Sequence, residues 1–193
     1  AAPINPDIQK GFQSFGITFL QGYGLTETSP VISTGTDFLN VHGTVGIPVK
    51  DVEVTIDNPD ENGIGEIMAR GDNVMLGYFE NPEETAKVME EDGWFRTGDL
   101  GSVDEKGYVR ITGRAKSMIV FTNGKKAFPE EYETLLNMIP GVKESFVWGN
   151  RAPDGDIQVC AKIVIDREHF EQKGYSNEEI ANEIEAAIKS INK

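Results

Sequence analysis

DLGSVDEKGYVRITGRAKSMIVFTNGKKAF, residues 99–128, carries two turn signals with a change of texture between them. Asp104 to Gly107 predicts the tight turn of a hairpin that occupies 99–114. Asn123-Gly124, the strongest short turn signal, predicts a second hairpin. At Arg114-Ala115-Lys116 the first pattern stops, and a domain boundary is placed there. The chain therefore reads as α+β in two parts, 1–114 and 115–193.

Working upstream, VEVTID (52–57) alternates, NPDENG turns, and GEIMARG (65–71) returns as a strand. With 99–114 this makes 46–114 a β-rich, barrel-like piece. Asn81-Pro82-Glu83-Glu84 opens a helix expected to end near Asp92-Gly93. Asn5-Pro6 opens another, to about Ser14, and Ile17–Leu20 reads as a strand. These first elements, within 1–45, have no evident partners in the sequence and are expected either to be mobile or to pair with another copy of the chain. Working downstream, Pro129 opens a helix to about Met138, and VKESFVWGN and DIQVCAKIVID read as strands. Ser176 and Glu179 have the spacing of a capping box. Ile180, Ile184, Ile188 and Ile191 then mark one helical face.

The formal net charge of -14 excludes a general nucleic-acid binder, which needs a basic face. Anionic small ligands need only a local positive cluster and stay open. No apolar run reaches the length of a membrane span, and no signal peptide opens the chain. Cys160 is the single cysteine, so no intrachain disulfide forms; it is expected as a small core residue, and a cytoplasmic location is expected. His42 and His169 are isolated and lack metal-type spacing. The chain begins Ala-Ala-Pro without methionine, which suggests a piece of something longer.

Three stretches hold candidate chemistry. In QGYGLTETSP (21–30), Gly22 and Gly24 permit close backbone approach around Tyr23, and Thr26 and Glu27 follow. Thr26 and Glu27 suit a phosphate and its metal, but equally a helix cap. In FRTGDLG (95–101), Asp99 in a glycine-flanked turn can accept from two ribose hydroxyls, or simply cap backbone. In GRAKSMIV (113–120), Arg114 offers a planar donor for ribose or phosphate oxygen, or plain surface charge. Together the three supply what a nucleotide needs: an aromatic face, a carboxylate for ribose, a cation and a hard oxygen for magnesium.

YGLTET, TVGIPV, GEIMARGDNVMLGYFENPEET, DGWFRTGDLG and ITGRAKSMIVFTNGKKAFPEEYE stand in an order and spacing that resemble the adenylate-forming (AMP-binding) superfamily. The likeness covers nearly the whole chain, and its form is most similar to long-chain fatty-acid acyl-CoA synthetases. The resemblance implies the end of a large domain with a barrel-like portion, followed by a small mobile α+β domain. It implies a two-step ligase: a carboxylate attacks the α-phosphate of ATP, then the thiol of coenzyme A attacks the acyl-adenylate. By position it implies Tyr23 stacking on adenine with Gly22 and Gly24 beside it. It implies that Thr26 contacts phosphate and Glu27 ligates Mg2+, both in catalytic roles. The same resemblance implies that Asp99 holds the ribose and that Arg114 binds ribose or phosphate oxygen. Lys116 takes the hinge position, and Gly124 approaches the coenzyme A channel, with Lys125 and Lys126 beside it.

The family also carries a phosphate loop of the form TSGTTGxPK, expected before residue 1, and a catalytic lysine in a Gly-Lys loop, expected beyond Lys193. The 193-residue chain alone is accordingly expected to be inactive. The resemblance allows peripheral membrane association of the parent. Two alternatives stand beside this reading: an adenylation domain that loads a carrier protein, and a non-catalytic nucleotide-binding module.

Overall fold

The computed structural model describes Ile4 and residues 6–153 and 155–191, and falls into two compact units, 1–116 and 117–193.

The first unit opens with α1 (Pro6–Ser14). The expected cap Asn5 lies outside the described residues. Residues 17–20, expected as a strand, pair with no other strand among the described residues. Side-chain amides take the place of a ladder there. Buried Gln9 and Asn40 both donate to the Phe19 carbonyl, at 3.3 and 2.9 Å, and the Ile17 amide turns back to Phe12 O. Backbone polar groups need partners, not a particular kind of partner, so a strand is not required to satisfy them.

Pairing begins two residues later. β1 (Gly22–Gly24) runs antiparallel to β2 (Val31–Thr34), and β2 to β3 (Ile47–Pro48). The second sheet is antiparallel in order β4 (Val52–Asp57), β5 (Gly65–Gly71), β6 (Phe95–Val103), β7 (Val109–Arg114). Val45 N donates to Val109 O, and Val109 N to Gly46 O, so the segment leading into β3 continues from the free edge of β7. Tyr23, Ile32, Val45, Ile67, Ala69 and Val109 are buried together as the core of this unit. At the β6–β7 turn, Asp104 Oδ1 accepts from the Lys106 and Tyr108 amides, which is why Asp stands first in it.

α2 (Pro82–Val88) starts as its sequence predicts, with Asn81 Oδ1 accepting from Glu84 N. It ends four residues before Asp92. Met89 goes extended and bridges Phe95, and the sheet contact replaces further helical turns.

The second unit holds the short hairpin β8 (Ile119–Val120) and β9 (Lys126–Ala127), α3 (Pro129–Leu136), and the long antiparallel pair β10 (Val142–Arg151) and β11 (Ile157–Ile165). α4 (Arg167–Glu171) is capped by Asp166 and buries Phe170. α5 (Asn177–Ile191) closes the unit behind the Ser176–Glu179 box. Ile184 is buried, and Ile180 and Ile188 pack beside it on a core of Leu136, Ile139, Val147 and Phe170. The side chain of Ile191 lies outside the described residues. Cys160, expected in the core, is half-buried on β11.

Candidate functional site

The site of the first unit is built on β6. Opposite β5, Glu66 pairs with Leu100 and Met68 with Arg96, which leaves Ile67 facing Thr97, Gly98 and Asp99. This is a bulge, and bulges re-aim side chains. Gly98 sits at φ 71, where its missing Cβ costs nothing. Thr97 Oγ1 donates to Ile67 O at 2.7 Å and accepts from the Asp99 amide at 3.1 Å, fixing the bulge from inside. Asp99 therefore lies within a strand and not in the glycine-flanked turn that its neighbours suggest.

Asp99 is only 3% exposed, and a buried carboxylate needs partners. It has two from the predicted set. Tyr23 Oη donates to Oδ2 at 2.9 Å, and Arg114 Nε reaches Oδ1 at 3.1 Å. Arg114 is directly opposite Asp99 in the β6–β7 register, and its side chain is half-exposed. The carboxylate has further lone-pair capacity beyond these two contacts. Burial above all, with the Asp99 charge adding, pushes the Tyr23 phenol far up, so it stays a donor.

Tyr23 differs from the open platform its glycine neighbours suggest. The residue is 6% exposed, buried with Ile32, Val45 and Val109. Only Gly24 of the flanking glycines is sterically required: an added Cβ there falls 1.6 Å from the Pro30 carbonyl oxygen. At Gly22 the nearest atom is 3.6 Å away, ordinary contact.

Thr26 and Glu27 follow on a single 3-10 turn, Thr26–Thr28, with Thr26 exposed and Glu27 half-buried. The side chain that holds this turn is Thr28, which sequence reading passed over. Thr28 is fully buried; its Oγ1 accepts from Leu25 N and donates toward the Leu25 and Pro30 carbonyls. Asn73 and Tyr78 also escaped notice. Asn73 Nδ2 donates to Thr28 O and Val31 O, and Tyr78 Oη donates to Glu27 Oε1 at 3.0 Å. Burial first, then that hydrogen bond, raises the Tyr78 phenol. Nothing local in sequence marks these two, since they lie 45 and 51 residues from their partners.

Magnesium takes oxygen ligands and commonly uses one or two carboxylates, completed by phosphate and water. Glu27 fits that role as a single ligand: Oε1 is held by Tyr78, and Oε2 accepts no hydrogen bond among the described residues. No group of three or more His, Cys, Asp or Glu gathers for a metal among the described residues.

Lys116 is exposed in the turn that ends the first unit. Gly124 sits at the exposed tip of the β8–β9 hairpin, φ 81, in the second unit with Lys125 and Lys126. No helix among the described residues is long and apolar enough to cross a membrane.

Residues 1–79 match the family model described as AMP-binding enzyme. A long-chain-fatty-acid–CoA ligase of Escherichia coli O157:H7 is 36% identical over 156 residues, 78% of this chain and 27% of the relative. An octahydroindenyl-propanoyl:CoA ligase of Rhodococcus jostii is 39% identical over 171 residues, 84% of this chain and 32% of the relative. Among solved structures, an ATP-bound RpMatB-BxBclM chimera superposes with a TM-score of 0.80 at 34% identity, covering 98% of this chain and 38% of the other. The chain thus spans roughly a third of the length of what it matches.

Proposed function

We propose that this chain, a partial-length member of the AMP-binding enzyme family, supplies the adenosine-binding part of an ATP-dependent acid–thiol ligase. The observation that carries the reading is the convergence of Tyr23 and Arg114 on buried Asp99. Two fixed partners hold the carboxylate still, so that it can receive both ribose hydroxyls without reorganising. Arg114, half-exposed, supplies positive charge beside it for ribose or phosphate oxygen. Tyr23 serves by its hydroxyl, aiming Asp99, and offers the base the edge of a mostly covered ring. Thr26 faces the phosphates and Glu27 holds magnesium, which neutralises charge as pyrophosphate leaves. Lys116 is the hinge, and Gly124 borders the coenzyme A channel.

The acid is a fatty acid, probed first as a long-chain one, in keeping with the E. coli relative. The Rhodococcus relative, named for a ring-bearing propanoyl group, matches at slightly higher identity and supports a second reading of the acid. The test is AMP release by the full gene product with ATP, Mg2+ and coenzyme A, over linear carboxylates of rising length and a bicyclic propanoate. Turnover that rises with chain length supports the first acid, and preference for the ring acid supports the second. Turnover only with a carrier protein as thiol acceptor moves the assignment to a carrier-loading adenylation domain. Nucleotide binding without any turnover leaves a binding module.

At 193 residues the chain alone is proposed to be inactive in ATP–pyrophosphate exchange. Exposed Phe15, Ile17 and Phe38 favour self-association of the isolated chain through its N-terminal segment.

A further inference from the structure

Glu27 is gripped by one remote segment at both ends of the residue. The Met75 amide donates to its backbone carbonyl at 2.8 Å, and the Tyr78 hydroxyl donates to its carboxylate at 3.0 Å. Two residues before Met75, Asn73 spans the far side of the same turn, donating to both Thr28 O and Val31 O. Residues 73–78 thus fasten the Thr26–Thr28 turn at main chain, side chain and exit. The fastening segment is itself fixed. Tyr78 N donates to Thr85 Oγ1 on α2 at 2.9 Å, Asn81 N returns to Tyr78 O, and Gly77 lies where any Cβ would meet Thr85 at 2.8 Å.

From this geometry we infer that Tyr78 is a positioning residue for Glu27. A glutamate on a three-residue turn has three side-chain torsions and nothing intrinsic to select among them. The phenol takes one carboxylate oxygen and thereby restricts the plane of the group, while the other oxygen accepts no hydrogen bond among the described residues. A metal ligand oriented in this way binds more tightly than a free one. Loss of such an orienting partner typically costs about 10–100-fold in metal affinity. The inference rests on the reading of Glu27 as the magnesium ligand.

The experiment uses the full gene product and its Tyr78→Phe, Glu27→Gln and Leu76→Ala variants. Tyr78→Phe keeps the ring and removes only the donor. Two quantities are read: Mn2+ binding in the presence of a non-hydrolysable ATP analogue, by electron paramagnetic resonance, and amide exchange across residues 26–29. The expected result is Mn2+ binding weakened about tenfold or more in Tyr78→Phe, faster exchange at 26–29, and unchanged exchange in α2. Leu76→Ala, a fully exposed neighbour on the same segment, leaves both readings at the parent value. Tyr78→Phe adds nothing in a Glu27→Gln background. If Glu27→Gln weakens Mn2+ binding and Tyr78→Phe does not, the positioning role is wrong and the metal reading survives. If Glu27→Gln itself leaves Mn2+ binding intact, the metal reading falls and the inference with it.

Discussion

The hydroxyl of Tyr23 donates to Asp99 at 2.9 Å across 76 residues of chain, and both groups are buried. A phenol and a carboxylate so placed depend on each other. Asp99 needs a donor in a place water scarcely reaches, and Tyr23 needs an acceptor for a hydroxyl inside an apolar core. Tyr23→Phe is therefore expected to cost about 1.5–3 kcal/mol, the range for a hydrogen bond to a charged group. Denaturant unfolding of the full gene product measures it. A variant as stable as the parent would mean that Asp99 finds another donor.

Asp99→Asn keeps the shape and removes the charge that holds Arg114. AMP binding is expected to weaken by about ten- to hundredfold, equivalent to roughly 1.5–3 kcal/mol. Titration calorimetry with AMP on the full gene product reads this directly. Equal affinity for parent and variant would remove Asp99 from the nucleotide site.

Gly24 and Gly22 make a matched pair. Gly24→Ala drives a methyl into the Pro30 carbonyl, which only a shift of β1 against β2 relieves. A loss of at least about 2 kcal/mol is expected, with amide protection lost across 22–34. Gly22→Ala meets only ordinary contacts and is expected to stay within about 0.5 kcal/mol of the parent. Equal tolerance of the two changes would show that the tight approach at Gly24 is absent.

In the second unit, Phe170 is 1% exposed and fills the space that Gly141 leaves, with a Cβ there placed 2.4 Å from its ring. Phe170→Ala is expected to cost about 3–5 kcal/mol. Gly141→Ala fails for a second reason as well, its φ of 84. Hydrogen exchange should locate the damage of both variants in residues 117–191. Damage confined elsewhere, or none, would contradict this core.

The backbone and hydroxyl of Ser176, in that order, hold the Glu179 carboxyl below its usual range. A carboxyl lowered in the folded state stabilises the fold above its unfolded pKa, roughly 4.3. That stabilisation fades as pH falls through the lower folded value. The start of α5 should accordingly fray on acidification below about pH 4, and Glu179→Gln should flatten this response. Exchange rates at residues 177–181 report it. An acid response identical in parent and variant would count against the cap.

Hairpin turns, helix starts and the capping box were legible in the sequence because each is closed by hydrogen bonds between residues at most four apart. Asp104 accepting from Tyr108, Asn81 from Glu84, and Ser176 paired with Glu179 need no knowledge of the rest of the chain. The grouping of Tyr23, Asp99 and Arg114 as one site came from the order of whole segments and the family they resemble. What only the tertiary structure decided is where long-range partners meet. It paired β1 with β2, left Ile17–Leu20 to side-chain amides, turned Tyr23 inward, and brought Tyr78 onto Glu27. Such contacts depend on sheet register and on a bulge at Gly98, where one residue more or less sends a side chain to the opposite face.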